Sequence, residues 1–478
     1  MIATKQEIYS VLREFNPWWS GITDLGCPKW KRAAYRELKQ WMINPPSKRA
    51  VLVSGARQVG KTTLFRQTIQ KLIANGVDPE KILYVTFDHY LLKLVGLEGV
   101  IKLWEELGTS GDGIEYLFLD EIQNNEHWQT WLKHQVDFRS DRRIAATGSA
   151  MPLNAATVES GVGRWHTTKV PTLSFYEYLR IKDIELPSLP DEPSLIPMFL
   201  WSEAKRLKVS EDAKPLVPHF HEYLLRGGFP ETALVESVNL AQKLLREDIV
   251  EKVLKRDMTA VYGIRNVLDL EKLFVYLCLN DGGILDVTKV GSSLKMTRPT
   301  ANNYINALES AHLIYRLNPY GYGKEVLRGK PKVYLADAAL SGSVLLKGRE
   351  LLKETDRLGA AVETVFFKHL FTRYYQSSMS FSYWREKDKF EVDIICQLPD
   401  RIVPFEVKYQ SKITEPDFRS LVRFCGKKDL KRAYMITRNI GDFFVNENES
   451  GLQTLAIPAP LACYWLSKSE FDSNEFNQ

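Results

Sequence analysis

The chain has 478 residues and a formal net charge of +5, with 44% hydrophobic and 26% charged residues. That length exceeds what one hydrophobic core usually serves, so we expect two to four domains, and the ordinary composition excludes disordered and collagen-like chains. Five widely spaced cysteines without a C-x-x-C pair exclude a disulfide framework or a zinc site, and we find neither a signal peptide nor a membrane-spanning run. We therefore expect a cytoplasmic protein with no membrane partner.

Hydrophobic periodicity divides the chain into six segments. In chain order they are a helical segment at 1–48, alternating strands and helices at 49–183, a proline-rich insertion followed by helices at 184–265, three helices with a strand pair at 266–332, a second α/β region at 333–466, and a polar tail at 467–478. In the second segment, apolar strands such as AVLVS and YLFLD alternate with amphipathic helices. This pattern predicts an α/β fold with a parallel sheet covered on both faces.

The most specific motif is GARQVGKT at residues 55–62, which matches G-x-x-x-x-G-K-[ST] between a buried strand and a helix. Such a loop directs backbone N–H groups toward phosphates, its lysine attracts the β and γ oxygens, and its threonine hydroxyl binds Mg²⁺. We therefore predict an ATP site with Mg²⁺ here; the alternative is a glycine-rich turn without a ligand. The predicted nucleotide-binding residues of this loop are Gly55, Arg57, Gly60, Lys61, Thr62 and Thr63.

Two later strand ends supply polar partners for this loop. The strand YLFLD ends in Asp120 and Glu121, which suits Asp120 to the Mg²⁺ shell and Glu121 to polarising the attacking water. Taken alone, such a strand end is common and needs no ligand. A further strand ends in T-G-S, where Thr147 and Ser149 place hydroxyls toward the γ-phosphate.

Residues 30–180 resemble the AAA-type ATPase domain of a widespread prokaryotic group of two-part ATPases. The resemblance is carried by D-E-I-Q at 120–123, T-G-S at 147–149, G-R at 163–164 and P-x-L-S-F-x-E at 171–177. It implies ATP binding and hydrolysis, with Lys61 and Glu121 as catalytic residues and 49–183 as the AAA-type ATPase core. It also implies that Arg164 reads the γ-phosphate from its own or a neighbouring subunit of a homo-oligomer; the alternative is a surface or helix-capping arginine.

The middle of the chain predicts a helical lid and a winged helix. Within the lid, Arg226 and Arg256 are candidate phosphate sensors or solvated arginines. In 266–332 the helix that begins after Thr297 presents polar residues opposite its apolar face, as a recognition helix of a winged helix-turn-helix does. Residues 284–332 alone carry a net charge of +5, which favours nucleic acid, most simply DNA; the alternative is an interdomain spacer. The predicted contacts are Lys295, Arg298, Asn302, Asn303, Lys324, Arg328 and Lys330.

The C-terminal segment orders Glu363 on a helix, Asp393 on a strand and Glu406-Val-Lys408 on the next strand. This order resembles the PD-(D/E)XK nucleases and implies a restriction-endonuclease-like α/β domain at 333–466. Because residues i and i+2 of a strand share a face, Glu406 and Lys408 project together, and Asp393 can converge with them. We predict Glu363, Asp393 and Glu406 as Mg²⁺ ligands, with Asp393, Glu406 and Lys408 catalytic.

The alternative for this segment is a nuclease-like fold whose carboxylates serve as salt-bridge partners, with Lys408 pairing Glu406 or Asp393. Glu391 is then a rim charge, whereas in an active site it is a spare ligand.

Two hypotheses follow from the sequence. In the first, the protein is an ATP-dependent enzyme that binds and cuts DNA, in defence against foreign DNA or in DNA processing. In the second, it is an ATP-driven switch or scaffold whose nuclease-like domain is inactive and binds nucleic acid or a protein partner.

Overall fold

The computed structural model describes residues 4–109, 113–148, 163–192, 194–321, 323, 326, 329–386 and 389–472. The chain forms two compact units, one ending at Val170 and the other beginning at Pro171. The six segments predicted from the sequence are finer than this division, and their boundaries stay predictions. No helix in the described residues is long and apolar enough to cross a membrane.

The first unit is built on a parallel sheet, as the sequence predicts. Its described strands are β1 (Ala50–Ser54), β2 (Ile82–Thr86), β3 (Glu115–Asp120), β4 (Arg142–Gly148) and β5 (Trp165–Lys169), in the order β2-β3-β4-β1-β5. Every pairing between them is parallel. The carboxyl ends of the strands therefore meet at one edge of the sheet, where ligands bind in open α/β folds.

Helices pack against this sheet and bury its apolar side chains. They are α1 (Lys5–Phe15), α2 (Ala33–Ile43), α3 (Lys61–Ala74), α4 (Tyr90–Trp104) and α5 (Trp128–Phe138), with a π-helical turn at Glu105–Thr109 and 3-10 turns at Pro17–Ser20, Pro79–Lys81 and Ile122–Asn124. The core contains Leu83, Leu117 and Leu119 from the strands together with Trp104 and Leu132 from α4 and α5. Burying such side chains stabilises the unit by about 1.5–3 kcal/mol each.

The segment that contains α1 closes the outer edge of strand β2. The side-chain amide of Asn16 accepts from the backbone N–H of Tyr84 at 2.7 Å and donates to the Tyr84 carbonyl at 2.9 Å. The indoles of Trp18 and Trp19 both donate to the Ile82 carbonyl at 3.0 Å. Side chains thus take the place of a further strand along β2.

The second unit begins with helices and ends with a mixed sheet. Its helices are α6 (Phe175–Ile181), α7 (Glu203–Asp212), α8 (Leu216–Arg226), α9 (Pro230–Leu234), α10 (Val238–Leu244), α11 (Met258–Ala260), α12 (Val267–Leu279), α13 (Val287–Leu294), α14 (Arg298–Ser310), α15 (Ala338–Val344), α16 (Thr355–Tyr374), α17 (Arg419–Lys428) and α18 (Ala459–Asp472). Two π-helical segments, Leu245–Glu251 and Val253–Asp257, continue α10 toward α11, and 3-10 turns lie at Ile196–Leu200, Gly348–Lys353 and Glu415–Phe418.

Nine described strands form one sheet in this unit, in the order β13-β14-β12-β11-β10-β9-β7-β8-β6. They are β6 (Gly283–Ile284), β7 (Ile314–Pro319), β8 (Lys332–Leu335), β9 (Ser380–Glu386), β10 (Phe390–Gln397), β11 (Ile402–Lys408), β12 (Arg432–Thr437), β13 (Phe444–Glu447) and β14 (Gln453–Pro458). Strands β9, β10 and β11 are antiparallel neighbours, whereas β11, β12 and β14 run parallel. Strand β8 pairs with β7 and β6, so it belongs to the part of the sheet that accompanies α12, α13 and α14.

A buried lysine on α16 ties three sequence motifs together. The Lys368 ammonium donates to Thr172 Oγ1 at 2.8 Å, to the Leu173 carbonyl at 3.1 Å and to the Tyr223 hydroxyl at 2.7 Å. It also lies 3.5 Å from Asp337 Oδ2, which accepts from the Gly228 N–H at 2.9 Å. The motifs around 171–177, 225–231 and 330–337 therefore serve the packing of this unit.

Arg226 is buried in the same region, which contradicts both alternatives predicted for it. Its guanidinium donates to Glu222 Oε2 at 2.8 Å and to the carbonyls of Val235 and Glu236. The side chain anchors the turn after α8 and is neither solvated nor a phosphate sensor. The second candidate, Arg256, is exposed.

Candidate functional site

The loop between β1 and α3 has the local geometry that a phosphate-binding turn requires. Gly60 has a φ of 96°, in the left-handed region that favours glycine, and it caps α3. Gly55 is approached by the carbonyl of Val170, and a Cβ built on it would lie 2.2 Å from that oxygen. A larger residue at position 55 would therefore force β1 and the chain after β5 apart.

Lys61 is buried at the start of α3. Its ammonium donates to the carbonyls of Gly55 and Ala56, at 2.9 and 2.8 Å, and so lies across the loop. These acceptors are neutral backbone groups. A phosphate oxygen carries more charge and forms the stronger, charge-assisted bond, so the lysine is available to an anionic ligand.

Asp120 is the centre of the polar side chains around the loop. Its Oδ2 accepts from the Thr62 hydroxyl at 2.7 Å and from the Tyr84 hydroxyl at 2.9 Å, and its Oδ1 accepts from the Thr147 hydroxyl. The carboxylate is only 4% exposed. A hydroxyl and a carboxylate side by side at the end of β3 are the oxygen donors that Mg²⁺ prefers, so Thr62 and Asp120 fit this ion.

Glu121 lies directly after β3, in the left-handed region with a φ of 53°. Its N–H donates to Thr147 Oγ1 at 3.0 Å, and its carboxylate accepts from the Gln123 amide. The chain thus leaves the strand conformation at Glu121, directly beside Thr147. Sequence reasoning singled out Glu121 and Thr147, and the structure brings them together.

The remaining predicted nucleotide residues differ in where they lie. Arg57 and Thr63 are half-buried on either side of Lys61, and Ser149 lies outside the described residues. Arg164 pairs with Asp137 at 2.9 Å, and its carbonyl accepts from the N–H of Ala50, the first residue of β1. The loop follows the last residue of β1, whereas Arg164 lies beside the first. Arg164 is therefore at the opposite end of the strands and does not join the site of its own chain. A role toward a neighbouring subunit stays a prediction.

Two contributors to this site escaped the sequence analysis. Tyr84 reaches Asp120 from the neighbouring strand β2, and Arg32 donates to the Val59 carbonyl at 2.7 Å from behind the loop. Both residues lie in stretches whose sequence pattern is typical of an ordinary strand or helix, so nothing local singled them out. Only the order of the strands shows that Tyr84 is next to Asp120.

The three-helix part of the second unit agrees with the local predictions made for it. Thr297 caps α14 by accepting from the Thr300 N–H, and Ala301, Ile305 and Leu308 are buried. The predicted nucleic-acid residues Lys295, Arg298, Asn303 and Lys330 are exposed, Asn302 is half-buried, and Lys324 and Arg328 lie outside the described residues. Lys330 also pairs with Asp286 at 2.7 Å.

The predicted C-terminal carboxylates gather around a lysine that the sequence analysis did not assign to them. The Lys332 ammonium lies 3.0 Å from Glu363, 2.6 Å from Glu391 and 3.0 Å from Asp393. Its side chain is 2% exposed. Lys332 comes from β8, Glu363 from α16, and Asp393 from β10, so three elements meet in what we call the Lys332 cluster.

Lys408 and Glu406 form a second pair beside the Lys332 cluster. The Lys408 ammonium lies 2.5 Å from Glu406 Oε1, and Asp393 Oδ2 accepts from the Val407 N–H at 2.9 Å. Glu406 Oε2 is buried and has no hydrogen-bond partner among the described residues. The structure therefore divides the predicted metal ligands between two lysines.

The burial of these groups shifts their pKa values. Burial and the nearby Asp393 raise the pKa of Glu406 to about 8 and that of Glu363 to about 7. Burial also opposes ionisation of Asp393, but Lys332, Lys408 and the Val407 N–H together hold the pKa of Asp393 below its usual value. Asp393 therefore stays ionised at neutral pH.

The Lys332 cluster is a poor fit for Mg²⁺. An ammonium already occupies the position between Glu363, Glu391 and Asp393, and a metal ion there would be repelled by it. In the part of the chain that the structure describes, no group of three His, Cys, Asp or Glu side chains is placed to hold a metal ion. The metal-binding roles of Glu363, Asp393 and Glu406 and the catalytic roles of Asp393, Glu406 and Lys408 stay predictions.

Comparison with protein families divides the chain into three matched segments. Residues 47–179 match the model described as AAA domain. Residues 217–350 and 358–461 match two models that are each described as a domain of unknown function, DUF8612 and DUF4143.

Similar chains occur in bacteria and archaea. An uncharacterized protein of Haemophilus influenzae is 26% identical over 421 residues, covering 85% of this chain and 92% of its own length. An uncharacterized protein of Methanocaldococcus jannaschii is 25% identical over 411 residues, covering 84% of each chain.

Solved structures are more distant. The ORC1 protein of Aeropyrum pernix in complex with DNA is 15% identical, with a TM-score of 0.30, and the match covers 68% of this chain and 95% of that one. AMPPCP-bound DnaA from Aquifex aeolicus is 14% identical, with a TM-score of 0.26, and the match covers 58% of this chain and 87% of that one. Neither score supports an argument about this chain. The family match, the parallel sheet and the loop geometry together identify residues 47–179 as an AAA-type P-loop domain.

Proposed function

We propose that the protein is an ATP-driven switch that binds and hydrolyses ATP with Mg²⁺ at the loop 55–62. The observation that carries this proposal is the meeting of Lys61, Thr62 and Asp120 at the carboxyl edge of the parallel sheet. In this proposal the second unit responds to the nucleotide and binds nucleic acid without cutting it.

The chain's own residues divide the work at the nucleotide site. The backbone N–H groups of the loop and the Lys61 ammonium bind the phosphates and stabilise the charge that develops on the γ-phosphate. Thr62 and Asp120 hold the ion, which supplies neutralisation of the phosphate charge when it is bound. Glu121 accepts the proton of the attacking water, and Thr147 holds the backbone of Glu121 in place through its hydroxyl.

Glu121→Gln tests the hydrolytic half of this proposal. The amide keeps the size of the side chain but cannot accept the water proton, so we expect ATP binding within about threefold of wild type and an ATPase rate at least about 100-fold lower. Glu126→Gln, an exposed change in the same loop, is the matched control and should leave the rate unchanged. A Glu121→Gln protein that hydrolyses ATP at the wild-type rate would refute the assigned role.

Nucleic-acid binding by the second unit is supported by charge and exposure. Lys332 of the basic stretch 284–332 is buried in its own cluster, whereas Lys295, Arg298 and Asn303 are exposed directly before and on α14. Clustered positive charge neutralises phosphates and releases counterions, which favours binding to DNA. We propose that α14 and the strands that follow it form a winged-helix surface that binds DNA. We also propose that the protein assembles as a homo-oligomer, in which Arg164 contacts the nucleotide site of the neighbouring subunit.

Mg²⁺-dependent cleavage of DNA by the C-terminal segment is the second candidate function. It is supported by the order of α16, β9, β10, β11, α17 and β12, which is typical of PD-(D/E)XK nucleases. It is also supported by Glu406 Oε2, which has no hydrogen-bond partner among the residues that the structure describes. The Lys332 cluster argues against it, because its ammonium occupies the place of the ion.

A cleavage assay separates the two candidates. Supercoiled plasmid and single-stranded DNA are incubated with Mg²⁺ or Mn²⁺, with and without ATP, using wild type and the variants Asp393→Ala and Lys408→Ala. The switch predicts that wild type cuts no faster than either variant. Metal-dependent cutting that both substitutions abolish would establish nuclease activity and refute the proposal that the second unit binds nucleic acid without cutting it.

A further inference from the structure

The Asp120 carboxylate is held by three hydroxyl groups from three different elements. Thr62 comes from α3, Thr147 from β4 and Tyr84 from β2. Bonds from hydroxyls to a carboxylate are charge-assisted and therefore among the stronger hydrogen bonds in proteins. Thr62 and Thr147 belong to the motifs of the nucleotide site, whereas Tyr84 belongs to none of them.

Tyr84 shares one oxygen of Asp120 with Thr62. Both hydroxyls donate to Oδ2, at 2.9 and 2.7 Å. In the proposed function the Thr62 oxygen faces the ion, so this residue cannot by itself fix the direction of the carboxylate. The phenol of Tyr84 is rigid and buried, and it holds Oδ2 in place independently of the ligand.

The backbone of Tyr84 is in turn held by the N-terminal segment. Asn16 is fully buried, and its side-chain amide binds both the N–H and the carbonyl of Tyr84. The same amide donates to the Leu12 carbonyl at 2.7 Å, which fixes it to the end of α1. Residues 5–20 thus set the position of β2 at Tyr84, whose side chain reaches Asp120.

We infer that Tyr84 is a positioning residue for Mg²⁺ binding at Asp120 and that Asn16 positions Tyr84. This inference rests on the proposed function, since it concerns the ion at the same nucleotide site. It gives the N-terminal segment a role in Mg²⁺ binding, although that segment precedes the phosphate loop and lies outside the matched AAA domain.

Tyr84→Phe in the full-length chain tests the first half of the inference, because it removes one hydroxyl and keeps the ring. A fluorescent ATP analogue is titrated in EDTA and in a series of Mg²⁺ concentrations. We expect the affinity in EDTA to stay within about twofold of wild type. The Mg²⁺ concentration for half-maximal enhancement of binding should rise about tenfold, as is usual when a residue that hydrogen-bonds to a metal ligand is changed.

Tyr35→Phe is the matched control. Tyr35 is also a buried tyrosine of the first unit, but its hydroxyl has no hydrogen-bond partner among the described residues. Its removal should leave the Mg²⁺ response unchanged. If Tyr84→Phe keeps the wild-type Mg²⁺ response, or lowers affinity equally with and without Mg²⁺, the positioning role of Tyr84 is wrong.

The part assigned to Asn16 is tested by a double-mutant cycle. Asn16→Ala should also raise the required Mg²⁺ concentration, and the double variant with Tyr84→Phe should be no worse than the more affected single variant, because both act through one hydroxyl. Additive effects would overturn the link between the two residues. A wild-type protein that binds no ATP would refute the proposed function itself, whereas a normal Mg²⁺ response in Tyr84→Phe would refute this inference alone.

Discussion

The phosphate loop and the Lys332 cluster both combine a buried lysine with aspartate, but they use the two charges in opposite ways. At the loop, Lys61 donates to the neutral carbonyls of Gly55 and Ala56, while Asp120 accepts from hydroxyls. In the Lys332 cluster, the ammonium touches three carboxylates directly.

This difference decides what each place can bind. At the loop, a phosphate can replace the carbonyls of Gly55 and Ala56 as an acceptor of the Lys61 ammonium, because its charge makes the stronger hydrogen bond. Charges that pair internally have already compensated each other's desolvation, and a ligand must first break that pairing. The comparison teaches that a buried lysine and aspartate do not by themselves indicate a ligand site, because in the Lys332 cluster they pair with each other.

The largest effect that would test this contrast is on stability. Lys332→Met leaves three carboxylates together without their cation, so we expect the free energy of unfolding to fall by about 3–5 kcal/mol in urea denaturation followed by circular dichroism. The loss should shrink toward pH 5, because Glu363, whose pKa is raised to about 7, is then protonated. Lys330→Met, an exposed change two residues earlier, is the control. A loss below about 1 kcal/mol would mean that the cluster does not depend on its lysine.

The next largest effect is on ligand binding at the loop. Lys61→Ala removes the ammonium that faces the phosphates, and we expect ATP affinity to fall about 100-fold, measured with a fluorescent analogue. The same change should cost less stability than Lys332→Met, because the bonds lost are to neutral carbonyls. Lys71→Ala, exposed on the same helix, should bind ATP as wild type does. An unchanged ATP affinity in Lys61→Ala would show that Lys61 does not bind the phosphates, and the contrast with the Lys332 cluster would then be wrong.

A smaller effect is expected from pH. The pKa values of Glu363 and Glu406 are raised to about 7 and about 8, so the folded protein keeps their protons at pH values where the unfolded chain has lost them. The stability that these groups contribute is therefore present at low pH and lost as pH rises toward 8, by at most about 1.4 kcal/mol per pH unit for each group. Urea titrations at pH 5.5, 6.5, 7.5 and 8.5 measure it.

Glu406→Gln should reduce that pH dependence, because the amide does not titrate. Glu449→Gln, which changes an exposed carboxylate of the same unit, should not. A stability that rises with pH over this range would contradict the raised pKa values.

The smallest effect concerns the exposed basic surface of α14. If Arg298 contacts one phosphate, Arg298→Ala should weaken DNA binding severalfold and reduce the slope of log affinity against log salt by about 0.9 in a filter-binding series. Lys214→Ala, an exposed change outside this surface, is the control. A wild-type affinity that does not respond to salt would contradict the charge argument.

Local patterns predicted the conformation of the loop 55–62 because that conformation depends on consecutive residues. The glycine positions, Lys61 and Thr62 follow from one eight-residue motif, and the strand and helix around it follow from periodicity. Asp120 and Glu121 were predictable because a strand end is also a local feature. The parallel α/β sheet follows in the same way.

The parts that escaped prediction depend on which elements become neighbours. Tyr84 supports Asp120 because β2 pairs with β3, and Lys332 neutralises Glu363 and Asp393 because β8 approaches α16 and β10. In the sequence, Lys332 was counted in a basic block predicted to face nucleic acid. A sum of charges cannot distinguish a buried ion pair from an exposed one.

The side chains that line β2 also bear on how the molecule can be divided. Asn16, Trp18 and Trp19 occupy hydrogen-bonding groups of an edge strand, which would otherwise be open to pairing with another chain. A fragment that begins at residue 47, where the matched AAA domain starts, would lack them and expose that edge. Such a fragment should aggregate through β2, so we expect residues 16–19 to protect the chain against self-association.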